Sequence, residues 1–309
     1  CKALSNYMIA MLESIGIKAN YALINAGENS RKLDAGFPSS QFNHAIVAVP
    51  NGMDTIWLEC TSQTNPFGYQ GNHTGDRQAL LITDNGASIV NTSRYRAEHN
   101  TLSRTAEVFI EPTGNAKARI KTTYSGLEYE HNGLHFIVNY QYEEQKKWLL
   151  ANTKIPSFDI TSFSMSNHKE KIPAATVTLD LALNRYATVS GKRIFLTPNL
   201  MNRSSFIPEK IEQRKTRIVR KKAFTHNDTI RYHLPEGVYA EFLPDPVKLI
   251  TRFGEYHANF TIDDGVLIYV RQIRVNKGEF PPESYAELTD FYKSLSKADN
   301  TKVVFLSKT

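Results

Sequence analysis

Three side chains within the first 61 residues are of types that together can make a nucleophile: Cys1, His44 and Glu59. A thiol attacks a carbonyl carbon as its thiolate. An imidazole takes the thiol proton and later passes it to a leaving amine, while a carboxylate fixes the imidazole's tautomer. The chemistry this trio would perform is acyl transfer out of an amide bond.

The elements that must position them are legible. Cys1 opens the stretch CKALSNYMIAMLESIG, in which Leu4, Met8, Met11, Leu12 and Ile15 recur at helical spacing. Gly16 follows as a C-terminal cap. A thiol at a helix start meets unpaired backbone N–H groups and the positive end of the helix dipole, and both favour thiolate. His44 lies in the extended run FNHAIVAV, and Glu59 ends the run TIWLE after the turn PNGMD. Asn51-Gly52 is a two-residue hairpin signal. A turn there sets Pro50 against Met53 and His44 directly opposite Glu59, with Cβ atoms about 4.5–5.5 Å apart. A one-residue slip would put the two on opposite faces. Taken singly, Cys1 reads equally as a small hydrophobe and His44 as a half-buried strand histidine; the joint pattern points to catalysis. Cys60, next to Glu59, is expected on the other face, packed in the core.

This pattern resembles the transglutaminase-like superfamily: a Cys, a strand His about forty residues on, and an acid in a W-L-[DE]-x-T setting. The run WLECTSQTNPFGYQGNHTGDRQALLI, Trp57 to Ile82, is similar to a bacterial branch in which that core is flanked by β-rich domains of unknown function. The closing segment from Tyr232 to Tyr292 resembles the same branch's C-terminal domain. The resemblance covers residues 1–90 and 226–309 well and the middle weakly. It implies a papain-like core with Cys1, His44 and Glu59 as its catalytic residues. It also implies a peptide or protein substrate and a periplasmic or cell-envelope location. Glu59 stands where the family usually has Asp, so Glu59→Asp is expected to be tolerated. Family members carry residues ahead of the Cys, and an upstream segment that completes the helical platform and the oxyanion hole is expected as a partner.

The remainder reads as scaffold. Of 309 residues, 41% are hydrophobic and 22% charged, close to globular norms. The expected fold class is α+β: a partial papain-like core at 1–92, a β-rich middle region at 97–225 with one helix near 138–151, and a β-rich domain at 226–309 with a late helix near 282–298. The middle texture suggests a β-sandwich with an inserted helix. Residues 25–41 form a long connection running into His44, either a substrate-covering loop or a linker. No run of eighteen apolar residues exists, so no transmembrane segment is expected. Two cysteines make no disulfide framework, and with scattered histidines they show no zinc spacing; neither metal nor cofactor is expected. Residues 209–222 carry seven Lys or Arg against two Glu and supply most of the net +6. Without a nucleic-acid motif, they read as a solvated edge strand that discourages aggregation.

The favoured reading is a thiol peptidase or amidase working through an acyl-enzyme. Transfer to an amine, as in protein cross-linking, stays open, as does a binding or structural protein with a decayed triad. Cys1 as a processed N-terminus is disfavoured, because a helix follows at once where a lipid anchor would want a polar tether.

Overall fold

The computed structural model describes residues 1–28 and 30–308; Asn29, inside the connection 25–41, lies outside them. Helix α1, Lys2–Ser14, has Cys1 as its N-cap. It closes with Gly16 at φ +78°, where Gly16 N–H bonds Glu13 O and Ile17 N–H bonds Leu12 O, a Schellman arrangement. Strands β1 (Asn20–Ile24), β2 (His44–Asn51), β3 (Asp54–Leu58), β4 (Gln78–Thr83) and β5 (Gly86–Asn91) form an antiparallel sheet in the order β3-β2-β1-β4-β5. A short helix, α2 (Gly71–Thr74), lies between β3 and β4. Ala45, Ile46, Val47 and Ala48 are buried in succession, so β2 is covered on both faces. Ile46 and Ala48 join Ile24 and Trp57 in a small core, and α1 packs on β2. The apolar stripe of α1 is only partly used. Met8 and Leu12 are half-buried, whereas Leu4, Tyr7, Met11 and Ile15 are exposed.

From residue 101 the chain is mostly strand, as the texture predicts. One sheet has eight strands. They are β6 (Thr101–Ile110), β7 (Ala116–Ser125), β8 (Phe158–His168), β9 (Ala174–Leu183), then, after the shorter strands β10 (Thr188–Ser190), β11 (Arg193–Leu196) and β12 (Ile218–Arg220), β13 (Phe224–His233), and beyond β14 (Val238–Phe242), β15 (Val247–Thr251), β16 (Gly254–Asp263) and β17 (Val266–Val275). Its order is β15-β16-β17-β13-β6-β7-β9-β8. β10, β11, β14 and the last strand, β19 (Val303–Ser307), make a second sheet of order β10-β11-β19-β14; β12 pairs with β18 (Gly278–Phe280). Helices α3 (Leu134–Ile137), α4 (Tyr142–Asn152) and α5 (Tyr285–Asp299) complete the fold. The fold class is α+β with a β-rich body. Alternating burial along β6, β7, β9 and β17 turns one face of the large sheet to a core shared with α5 and β19. Asp264 and Gly265 both have positive φ, as the two-residue mirror-image turn between β16 and β17 requires. β8, the edge strand, keeps a weaker alternation: Phe158, Ile160, Phe163 and Met165 are only partly buried, and a bulge between Ile160 and Ser162 breaks their phase.

The expected boundary between residues 225 and 226 falls inside β13. β13 pairs in parallel with β6, so strands from both sides of that boundary share one sheet and one core. Among the described residues, no helix is long and apolar enough to cross a membrane.

A buried chain of charges runs through this sheet. Arg104 on β6 bonds Asp228 on β13 at 3.1 Å, and Asp228 meets Arg271 on β17 at 3.3 Å. Arg271 grips Asp299, the last residue of α5, through Nε (2.7 Å) and Nη2 (3.0 Å). Two cations and two anions balance, and each is 4% exposed or less. Burial disfavours the charged form of Arg271, but Asp299 and Asp228 more than offset it and hold the guanidinium charged.

A second buried carboxylate gives a pH prediction. Glu128, in the 3-10 turn Gly126–Gly133, bonds Lys222 at 2.7 Å and lies 3.3 Å from His226. Burial raises its pKa, but His226 and Lys222 outweigh that and bring it down to about 2, from 4.5. As pH falls the unfolded chain takes the proton first. The stabilisation is therefore complete above pH 4.5 and fades as pH falls to about 2. Such a shift corresponds to about 3 kcal/mol. Glu128→Gln should lose stability of that order at neutral pH and flatten the acid limb. Urea unfolding of both proteins across pH 2–5 checks this, and parallel acid limbs would refute it. Lys222 belongs to the basic run 209–222, which is thus partly engaged with the body rather than wholly solvated.

Candidate active site

The hairpin register differs from expectation by two residues. Asn51 pairs with Asp54, and the ladder ends at Val47 opposite Leu58. The turn is Gly52-Met53, with positive φ at Gly52 (+61°) and not at Met53. A turn centred on Asn51-Gly52 of the expected kind would need both central residues at positive φ; Gly52 instead takes the first central place and Asn51 stays in the strand. A two-residue shift preserves side-chain parity, so His44 and Glu59 still share a face. They are now diagonal rather than directly opposed, and Glu59 lies just past the end of β3. The long Glu side chain spans the diagonal. His44 Nε2 is 3.1 Å from Glu59 Oε1 and 2.9 Å from Oε2.

This pair is nearly sealed, with side chains 10% and 4% exposed. Burial raises the Glu59 pKa, but hydrogen bonds from His44 and from the Thr61 hydroxyl and N–H outweigh it, so the carboxylate is held below its usual range. Because Glu59 occupies Nε2, Nδ1 is the imidazole nitrogen left for a thiol. Asn43 pins the backbone just ahead of His44: its carboxamide accepts from Ala26 N–H at 2.7 Å and donates to Ala26 O at 3.1 Å. The His73 ring stands edge-on to His44 with centroids 5.3 Å apart. Burial, then the like charge of His44, lowers the His73 pKa.

Cys1 is exposed and its thiol is free. Its carbonyl accepts the first helical bond, from Ser5 N–H at 2.9 Å. Ser5 is fully buried, and its hydroxyl donates to the carbonyl of Ala45, the neighbour of His44, at 3.1 Å. The start of α1 is thereby docked one turn from the imidazole's strand position. Among the described residues, however, no hydrogen bond joins the Cys1 sulfur to His44: two of the three side chains meet, and the third stands on the adjoining helix start. Cys60 lies outside the apolar core, half-buried near Ser5; burial raises its pKa, and the Ser5 hydroxyl pulls it the other way.

A cleft of about 520 Å³ opens beside the pair. Glu59, Thr61 and His73 line one side; Glu130, His135 and Phe136, from the β-rich body, line the other. No group of three or more His, Cys, Asp or Glu among the described residues is arranged to hold a metal ion.

Residues 192–305 match a family described as a domain of unknown function with a solved structure, DUF3858. The match covers the β-rich end of the chain and not the residues of the site. No curated protein is significantly similar in sequence. Among solved structures, one from Parabacteroides distasonis described as a "putative protease" aligns with 98% of this chain, at 12% identity and a TM-score of 0.44. The chain spans 43% of that structure's length.

Several positioning residues escape a sequence reading. The Arg77 guanidinium donates to the carbonyls of Asn25, Gly27, Asn72 and Gly75 and to the Ser30 hydroxyl, at 2.6–3.1 Å. It fastens the loop after β1 to the segment that carries His73. The Tyr69 hydroxyl lies 2.8 Å from Glu130 Oε1 and 2.9 Å from Gly126 O, with one proton to share between them, and Tyr95 OH accepts from Gln70 N–H at 3.0 Å. These bonds seat the first sheet's loops on the β-rich body and shape the cleft. Nothing marks Arg77 in sequence, because four of its five partners are backbone carbonyls. Arg77→Ala should cost about 2–3 kcal/mol through its lost charged hydrogen bonds. It should also speed amide exchange at Gly27, whose N–H bonds His73 O at 2.9 Å. Unchanged exchange at Gly27 would contradict the clamp.

Proposed function

We propose that this chain is a thiol-dependent amide hydrolase in which Cys1 is the nucleophile, His44 the general base and acid, and Glu59 the group that orients His44. The observation that carries the reading is the buried His44–Glu59 pair at 2.9 Å, made through Nε2, with no hydrogen bond to Nδ1 among the described residues. A pairing on opposite faces would have favoured the decayed-triad alternative. In this scheme the Cys1 thiolate adds to the amide carbonyl carbon. His44, carrying the thiol proton, gives it to the nitrogen as the C–N bond breaks. Water, deprotonated by His44, then cleaves the thioester. The cleft beside Glu59 would receive the peptide. The closing segment resembling the C-terminal domain of the transglutaminase-like branch overlaps the DUF3858 match, which lends the reading support at the level of family.

A peptidyl fluoromethyl ketone tests it. The reagent should alkylate Cys1 in one-to-one ratio, leave Cys60 unmodified and fail on the His44→Ala variant, as read by peptide mass spectrometry. Labelling confined to Cys60, or none, would sink the proposal.

A further inference from the structure

A second concavity shares no lining residue with the cleft beside Glu59. It has a volume of about 480 Å³, within the range of small-molecule sites. It sits where the connection after β5 meets the large sheet. Arg94, Arg96 and Glu98 reach it from the connection, where they are exposed while Tyr95 and Ala97 between them are buried; this alternation puts all three on one side. Arg252, Arg274 and Lys277 line it from the sheet.

Five cations therefore face one carboxylate. Two are satisfied elsewhere: Arg252 by Glu287 at 2.8 Å and Lys277 by Asp76. The other three are not. Glu98 is shared by Arg96 and Arg274 at 3.9 Å each, the outer limit of an ion pair, and Arg94 has no hydrogen bond or ion pair among the described residues. Like charges gathered in a concavity focus the field and raise the local concentration of anions. Guanidinium groups present the planar fork that matches phosphate oxygens two at a time.

We propose that this cavity binds a small molecule bearing a phosphate or diphosphate group, held by Arg94, Arg96 and Arg274. The site is independent of the hydrolase reading. A phospholipid headgroup offers the same chemistry as a free phosphate ester, and the test separates the two.

Inorganic pyrophosphate is titrated into the full chain by calorimetry at low salt. Saturable one-to-one binding is expected, weakened by at least about ten-fold in Arg94→Gln/Arg274→Gln. The Arg94→Lys/Arg274→Lys variant, which keeps charge but loses the fork, should fall between. Lys117→Gln/Lys121→Gln, which removes the same two charges from the exposed side of β7, should bind as the parent does and controls for net charge. Thermal melts establish that the variants fold. In a second arm the chain is sedimented with phosphatidylglycerol vesicles. Sedimentation that pyrophosphate competes away assigns the headgroup as the source and upholds the shared chemistry; pyrophosphate binding without sedimentation assigns a free ester. No saturable pyrophosphate binding, equal binding by the glutamine variant, or sedimentation that pyrophosphate leaves unchanged overturns the proposal.

Discussion

Cys1→Ala should lower amide turnover by about 10⁴-fold or more while leaving the melting temperature unchanged. The size follows from nucleophile deletions in enzymes whose catalytic side chains act as one unit. The fold should survive because Cys1 is exposed and contributes to α1 through its backbone carbonyl, which alanine retains. His44→Ala acts on the same thiol from the other side. An imidazolium and a helix start together can bring a thiol pKa to about 3–4. Without the imidazolium the pH midpoint of Cys1 alkylation should climb toward the reference value of about 8.5. Iodoacetamide rates from pH 3 to 10, for parent and variant, give both midpoints. Coincident midpoints would mean that His44 does not act on Cys1.

Glu59→Gln should reduce kcat/KM by about 10²–10⁴-fold, with KM little changed, because an amide holds the imidazole in place less well and cannot stabilise its cation. Its carboxylate is kept below the usual range by His44 and Thr61, so the parent protein carries this charge throughout the neutral region. Glu59→Asp is the sharper probe. The family resemblance implies that aspartate serves, yet here the carboxylate reaches His44 along a diagonal from beyond the end of β3. Aspartate keeps the charge and loses one methylene of reach. Its kcat/KM should fall between those of the parent and Glu59→Gln, by about ten-fold. Turnover of Glu59→Gln equal to that of the parent would remove Glu59 from the mechanism.

The hairpin shows how far sequence carried this site. Asn51-Gly52 located the turn to within a residue or two, and the error was an even number of residues, so the shared face of His44 and Glu59 was legible while their direct opposition was not. The large strands were legible from alternation and turn punctuation. The arginine–aspartate chain does leave a signal in the sequence. Arg104 stands in phase with Leu102, Ala106 and Val108, and Arg271 with Tyr269 and Ile273, which are inward positions. A charge in the inward phase of a strand needs an opposite charge in the inward phase of its neighbour, and Asp228 supplies it. The exposed half of α1 could not be read, since amphipathicity tells that a helix has an apolar side without telling which neighbour covers it. Nor could the cleft, whose two walls are joined by tyrosine and backbone hydrogen bonds that follow no spacing.

The parallel seam between β6 and β13 predicts an order of assembly. Every other pairing in the large sheet is antiparallel, and the sheet divides there into two four-stranded halves, β6-β7-β9-β8 and β15-β16-β17-β13. Each half can form from nearby segments, but the seam joins residues 124 apart in the chain, as Arg104 and Asp228 are, and distant pairings form slowly. Until it closes, β6 and β13 are open edges able to pair with another molecule, and Arg104 lacks its partner. The same salt bridge that finishes the sheet is therefore expected to form late in folding. Pulse-labelled hydrogen exchange during refolding should find Thr105 and Thr229, opposed across the seam, protected later than the β16–β17 hairpin. Simultaneous protection would show that the halves do not form first.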